Sequence, residues 1–233
     1  MSQMREIDYG NSVGQRTLCV LVVDSSGSMD EPVAGTGRTR IQMLNEGIGK
    51  LHSELLNDET ARNRVRLAVV IVGGPRDDAD IMMDWTDAAD FQPISFSAGG
   101  RTPLGKGMRI ALQMIEQEKQ NLKAAGIQYT RPWVMVMSDG APTDEPSEWQ
   151  MATAECRDAE KNKRCVIYPI GVDDGDLNVL GQLSSMTPPV KMSGAKFREF
   201  FVWLSSSLGA MSRSAPGQQA QLTSISPWAS VSG

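Results

Sequence analysis

The sequence holds a single histidine, His52, three cysteines and only 6% aromatic residues. His52 lies within the first predicted helix, away from the Gly- and Asp-rich loops, and reads as a surface histidine, so a Ser-His-Asp hydrolytic triad is not expected. Cys19 lies inside a Val/Leu run and reads as a small core residue. Cys156 and Cys165 are nine positions apart, which is not a zinc-ligand spacing. Reduced thiols fit a cytoplasmic protein. No apolar run approaches the roughly 18 residues that cross a bilayer. Met1–Arg16 is polar and lacks the hydrophobic core of a signal peptide. There is no excess of positive charge: the net charge is −5, so neither nucleic acid nor an anionic membrane is the expected partner.

What is present is the composition of a globular domain, 40% apolar and 22% charged over 233 residues, enough for one sizeable core. Four short apolar runs rich in β-branched residues, Leu18–Val23, Val65–Val72, Val134–Met137 and Cys165–Val172, have the length and continuity of strands buried on both faces. Ile81–Trp85 alternates less cleanly and reads as an edge strand. Pro169 cannot donate a ladder hydrogen bond, so its strand is expected to be irregular or near an edge. Between the runs, Ile41, Leu44, Ile48, Leu51 and Leu55 repeat at helical spacing, as do Leu104, Met108, Leu112 and Ile115. Phe197, Phe200, Phe201, Leu204 and Leu208 form a third stripe, and Ser147–Lys161 a weaker one. Alternation of strands and helices predicts a three-layer α/β domain over residues 17–210: a central, mainly parallel sheet with one antiparallel edge strand and helices on both faces. From Met211 to Gly233 the chain is rich in Ser, Ala, Gln, Gly and Pro and is read as a flexible tail. In it Trp228 is the single large aromatic, a residue for docking or one without a role.

Three loops carry the chemistry. Ser25–Thr39 and Ser138–Pro146 follow predicted strands, and Ser95–Thr102 enters a helix. In a parallel α/β sheet, loops leaving the carboxyl ends of strands share one rim, where ligands bind. The first loop begins Asp24-Ser25-Ser26-Gly27-Ser28, and the alternation of Asp24, Ser26 and Ser28 lets an extended turn present all three side chains together. Gly99-Gly100-Arg101-Thr102 sets a hydroxyl at a helix entry, and Ser138-Asp139-Gly140 a carboxylate at a strand end. These are hard oxygen donors, suited to Mg²⁺, with Mn²⁺ or Ca²⁺ as alternatives, rather than zinc.

The order and context of these pieces resemble the von Willebrand factor A domain with its metal-ion-dependent adhesion site, over about Thr17 to Leu208. GGRTPLGKGM, SDGAPTD and the following Trp149 are similar to the bacterial tellurite-resistance subgroup, the TerY-like proteins. The resemblance implies that Ser26 and Ser28 bind a metal directly and Thr102 directly or through water. Asp24 and Asp139 would hold coordinated waters. It also implies that a partner's Asp or Glu completes the metal shell, which is binding rather than catalysis. For the subgroup it implies tellurite or chemical-stress resistance with cytoplasmic partners, among them a kinase and a phosphatase of the same system.

Competing readings are weaker. Gly100 to Lys106 fits the first seven positions of a phosphate-binding P-loop, but the eighth is Gly107 rather than Ser or Thr. Asp24 after a buried strand suits an aspartate-nucleophile phosphatase, which needs a second carboxylate where this chain has Ser26. The alternatives are thus a metal-dependent phosphohydrolase or a scaffold with a vestigial site. Asp144 reads as a loop organiser, a holder of water or a cap of the following helix. Arg101 reads as a steering or solvated rim charge, and Thr36 and Thr39 are lesser candidates.

Overall fold

The computed structural model describes residues 14–214, 224–225 and 228–230. The strands are β1 (Thr17–Ser25), β2 (Pro32–Val33), β3 (Arg38–Thr39), β4 (Val65–Gly73), β5 (Asp78–Asp87), β6 (Trp133–Ser138), β7 (Val166–Val172), β8 (Val190–Met192) and β9 (Ala229–Ser230). The helices are α1 (Arg40–Asn57), α2 (Glu59–Arg64), α3 (Leu104–Ala124), α4 (Pro146–Lys161), α5 (Leu177–Leu180) and α6 (Phe197–Arg213).

Seven strands form one sheet in the order β5-β4-β1-β6-β7-β8-β9. The pairings from β4 through β8 are parallel, and β5 and β9 close the two edges antiparallel. The apolar runs are buried on both faces because each face carries a helical layer. Cys19, Leu21 and Val23 point into the layer of α1, α2 and α6, while Val20 and Val22 meet α3 and α4 on the other side. This is the three-layer arrangement expected from the alternation of elements, with Ile81–Trp85 inside the antiparallel edge strand β5.

Two irregularities have local causes. Val166 N–H bonds toward β6 through Pro132 O, and Ile167 O accepts from Thr187 on the opposite side. Alternate residues of a strand face alternate neighbours, so Pro169 faces the β8 side, where pairing begins only at Ile170. Its missing N–H therefore falls outside the ladder and β7 remains internal. Phe91–Phe96 is irregular, with both aromatic rings buried. The Asn45 side chain of α1 accepts from Phe96 N–H at 2.8 Å and donates to Phe96 O at 3.0 Å, in place of a strand neighbour.

The tail returns to the domain at Trp228, which is 4% exposed and packs edge-on against Phe200 and tilted against Trp203 of α6, both with ring centroids 5.0 Å away. Ala229 and Ser230 then pair with β8. Met211–Arg213, expected to open the flexible tail, instead continue α6; residues 215–223, 226–227 and 231–233, on which that expectation also falls, lie outside the described residues.

Candidate metal centre at the sheet rim

The carboxyl ends of β1 and β6, side by side in the sheet, bring Asp24, Ser26, Ser28 and Asp139 together. Asp24 is fully buried at the end of β1. Its Oδ1 accepts from Ser26 N–H at 2.8 Å and its Oδ2 accepts from Ser138 Oγ, so the first turn of the loop is built around this carboxylate. Ser26 Oγ and Ser28 Oγ lie 3.0 Å apart. Ser28 Oγ donates to Asp139 Oδ1 at 2.7 Å, joining the first loop to the third.

The second loop is fixed by backbone contacts. Gly27 N–H donates to Gly100 O at 3.1 Å, and Thr143 N–H to Thr102 O at 2.9 Å. Thr102 N–H is held in turn by Thr143 Oγ1 at 3.0 Å. Thr102 Oγ1 faces the other two loops: a Cβ placed on Gly140 would sit 3.5 Å from it and 3.8 Å from Ser28 Oγ. Gly73, at φ +82°, is needed beneath the site, because a Cβ there would come within 2.5 Å of Arg101 O and 3.0 Å of Ser26 N.

Arg40, the first residue of α1, was not anticipated as part of this site. Its Nη1 donates to Asp139 Oδ2 at 2.7 Å and to Ser28 O at 3.3 Å, and lies 3.0 Å from Glu31. Its Nε donates to Asp173 Oδ2 at 2.8 Å. A cation at a helix N-terminus opposes the macrodipole, which in the sequence is the signal that this arginine has acidic partners elsewhere. Asp144 also behaves differently from a cap of α4. Its carboxylate accepts from Gly105 and Lys106 N–H, at 2.9 and 3.0 Å, and so caps α3 from across the rim; Pro103 at the start of α3 offers no side-chain cap of its own. Arg101 pairs with Asp77 at 3.1 Å in an exposed position. Thr36 bonds Val33 O at 2.8 Å within the β2–β3 turn, and Thr39 precedes α1 with its N–H held by Gln42 at 3.0 Å. His52 is half-buried in α1 against Phe91.

The electrostatics follow from burial. Desolvation pushes the Asp24 carboxyl up to about 6; the hydrogen bonds from Ser138 and Ser26 oppose the rise and the Asp139 charge adds to it. Burial works against the Arg40 charge, but hydrogen bonds to Asp173 and Asp139 outweigh it and raise its pKa. Burial pushes all three cysteine thiols up, which leaves neutral thiols rather than thiolate ligands.

The donor set fits a hard divalent cation. Among the described residues no three His, Cys, Asp or Glu side chains meet with metal-holding geometry, so direct coordination here would fall to hydroxyls. Adjacent ligands of an octahedral Mg²⁺ at 2.0–2.1 Å stand about 2.9 Å apart, close to the 3.0 Å between Ser26 and Ser28 Oγ. With the Ser28 hydrogen committed to Asp139, Ser26 is the donor between the two serines, and Ser28 Oγ keeps a second lone pair for a cation.

Residues 19–199 match the von Willebrand factor type A domain family. Among solved structures, the pilus adhesin SpaC from Lactobacillus rhamnosus GG superposes with a TM-score of 0.64 at 14% identity, covering 85% of this chain and 31% of that one. The vWF domain of the type V pili tip protein Mfa5 from Porphyromonas gingivalis superposes with a TM-score of 0.58 at 13% identity, covering 91% and 99% of the two chains. At such identities the likeness is one of fold. An uncharacterized protein of Mycobacterium tuberculosis is 31% identical over 135 residues, which are 55% of this chain and 18% of that protein. The chain thus spans under a fifth of that relative and under a third of SpaC. Among the described residues no helix is long and apolar enough to cross a membrane. With the match running from β1 through β8 and over helices α1 to α5, the chain belongs to the von Willebrand factor type A domain family.

Proposed function

We propose that this chain is a protein-binding module that depends on a Mg²⁺-type ion, and that it is not an enzyme. The observation that carries the reading is the convergence of three hydroxyls and two buried carboxylates on one rim, with Ser26 and Ser28 Oγ 3.0 Å apart. Ser26, Ser28 and Thr102 would hold the ion, and Asp24 and Asp139 would balance its charge through water. When bound, the ion supplies an electrophilic point that an Asp or Glu of a partner completes. Both carboxylates are already engaged by donors within the chain, which supports a recognition site over one with a free nucleophile or base. The wording of the second and third loops supports a TerY-like place in tellurite or chemical-stress resistance. The partners would then be cytoplasmic, among them a kinase and a phosphatase.

Calorimetry with Mg²⁺ and Mn²⁺ tests the metal. Saturable binding is expected in the native chain and a loss of at least tenfold in the Ser26→Ala/Ser28→Ala double variant, with an unchanged circular-dichroism spectrum. No saturable binding to the native chain would favour a vestigial site. Partner capture from the native organism should fail in excess chelator. Phosphate release that depends on Mg²⁺ or Mn²⁺ and disappears in Asp24→Ala would replace the binding reading with a hydrolase.

A further inference from the structure

Arg40 is a buried cation of the rim, and it occupies a specific oxygen. Asp139 has two: Oδ1 takes the Ser28 hydroxyl at 2.7 Å and Oδ2 takes Arg40 Nη1 at 2.7 Å. The guanidinium is itself held in a fixed orientation. Its Nε is bonded to Asp173 at 2.8 Å, and Asp173 Oδ1 accepts from Gly194 N–H at 2.8 Å in the turn before α6. Gly194 has no room for a side chain, since a Cβ would lie 2.7 Å from Asp173 Oδ2 and 3.4 Å from Arg40 Cγ. The Arg40 side chain is 8% exposed and that of Asp139 fully buried, so water does not compete effectively for either group.

We infer that Arg40 is a positioning residue that sets the metal selectivity of the rim by denying one oxygen of Asp139 to the ion. This rests on the proposed metal-dependent reading. Ca²⁺ accepts six to eight oxygens and takes carboxylates in the bidentate mode, whereas Mg²⁺ keeps six ligands, waters among them. With Oδ2 turned to the guanidinium and Oδ1 taken by the Ser28 hydroxyl, Asp139 is oriented against bidentate chelation of an ion. The site is then left with single-oxygen donors, which disfavours Ca²⁺ more than Mg²⁺. The fork geometry of the guanidinium lets one side chain engage Asp139 and Asp173 together.

The test is calorimetric titration of Mg²⁺ and of Ca²⁺ into the native chain, Arg40→Met and Asp173→Asn, with folding checked by circular dichroism. The native chain should prefer Mg²⁺. In Arg40→Met the ratio of Ca²⁺ to Mg²⁺ Kd should fall tenfold or more. Asp173→Asn, which leaves the Nη1 bond to Asp139, should stay within threefold of native. Arg40→Met leaves Asp173 unpaired, so if it does not fold, the Arg40→Met/Asp173→Asn double variant takes its place with the same expected fall. A ratio unchanged in the folded Arg40 variant overturns the inference while leaving the metal site standing. An equal fall in Asp173→Asn overturns it too, since loop order rather than the Asp139 oxygen would then set selectivity. Absence of saturable binding in the native chain is a different failure, that of the metal reading itself.

Discussion

Asp24 is a rim carboxylate whose surroundings oppose its charge, and that opposition is measurable in the metal-free protein. Its carboxyl is raised from 3.8 to about 6 by burial, so the folded chain holds this proton more tightly than the unfolded chain. The stability it contributes is fully present below about pH 3.8 and is lost as pH rises through about 6. At 1.36 kcal/mol per pKa unit the loss amounts to about 3 kcal/mol. Asp24→Asn carries no proton and keeps an acceptor for Ser26 N–H. Urea unfolding in chelator should therefore show the variant gaining about 2–2.5 kcal/mol relative to native between pH 4 and pH 7; a difference that stays flat would mean that the buried carboxylate is not penalised. Excess Mg²⁺ at pH 7 should stabilise the native chain and not the variant. The identity of Asp24, Ser26, Ser28, Thr102 and Asp139 as one cluster was legible in the sequence because each stands at the end of an apolar run or the entry to a helix. Arg40 was not, because its partners lie 99 and 133 positions away and only the three-dimensional rim brings them to it. In the sequence Asp144 reads equally as organising the loop, holding water or capping α4; the rim delivers its carboxylate to α3, so it organises the loop across the rim and does not cap α4.

Among elements, legibility tracked length and burial. The runs that became β1, β4, β6 and β7 are continuous and β-branched, and the helical stripes of α1, α3 and α6 repeat over several turns. β2, β3, β8 and β9 are two or three residues long, too short to show a period of two, and they exist through tertiary bonds. One such bond is Asp173 N–H to Met192 O at 2.8 Å. The helix packing, too, depends on single residues that a pattern of apolar positions does not reveal. Gly107, the residue that spoils the P-loop pattern, has a packing reason: a Cβ there would meet Val72 Cγ2 of β4 at 2.5 Å. Gly47 plays the same part between α1 and α6, where a Cβ would lie 2.5 Å from the Phe201 ring. Gly49, two residues on in α1, has open space around it. The two positions therefore predict opposite signs. Gly47→Ala should destabilise by about 1–3 kcal/mol through overpacking. Gly49→Ala should stabilise by about 0.5–1 kcal/mol, because alanine loses less backbone entropy in a helix. Urea midpoints of the two variants decide it, and a loss of stability in both would mean that α1 does not tolerate alanine for reasons other than the α6 contact.

At the scale of the molecule, the rim and the tail sit at opposite levels of constraint. The rim is tied by hydrogen bonds among the loops after β1, β6 and β7, while among the described residues beyond Ser214 the tail is held by the apolar side chains of Ile225, Trp228 and Ala229 and a two-residue strand. Trp228 packs against Phe200 and Trp203 of α6, and Ala229 and Trp228 N–H both donate to Ile225 O at 3.0 Å. Two ladder residues give little net stability in water, so the docking energy resides in burying the indole. Large apolar side chains contribute about 1.5–3 kcal/mol when fully buried, less the entropy of ordering the segment that carries them. β9 is a two-residue strand at the edge of the sheet, so its opening should precede global unfolding. Trp228→Ala should then lower stability by about 1–2 kcal/mol and raise hydrogen exchange at β8 while leaving exchange in β1, β4 and β6 slow. A chain ending at Ser214 should lose the same amount as Trp228→Ala. If truncation costs clearly more than the single substitution, then β9 pairing rather than the indole holds the tail, and the edge of the sheet at β8 depends on strand addition for its protection.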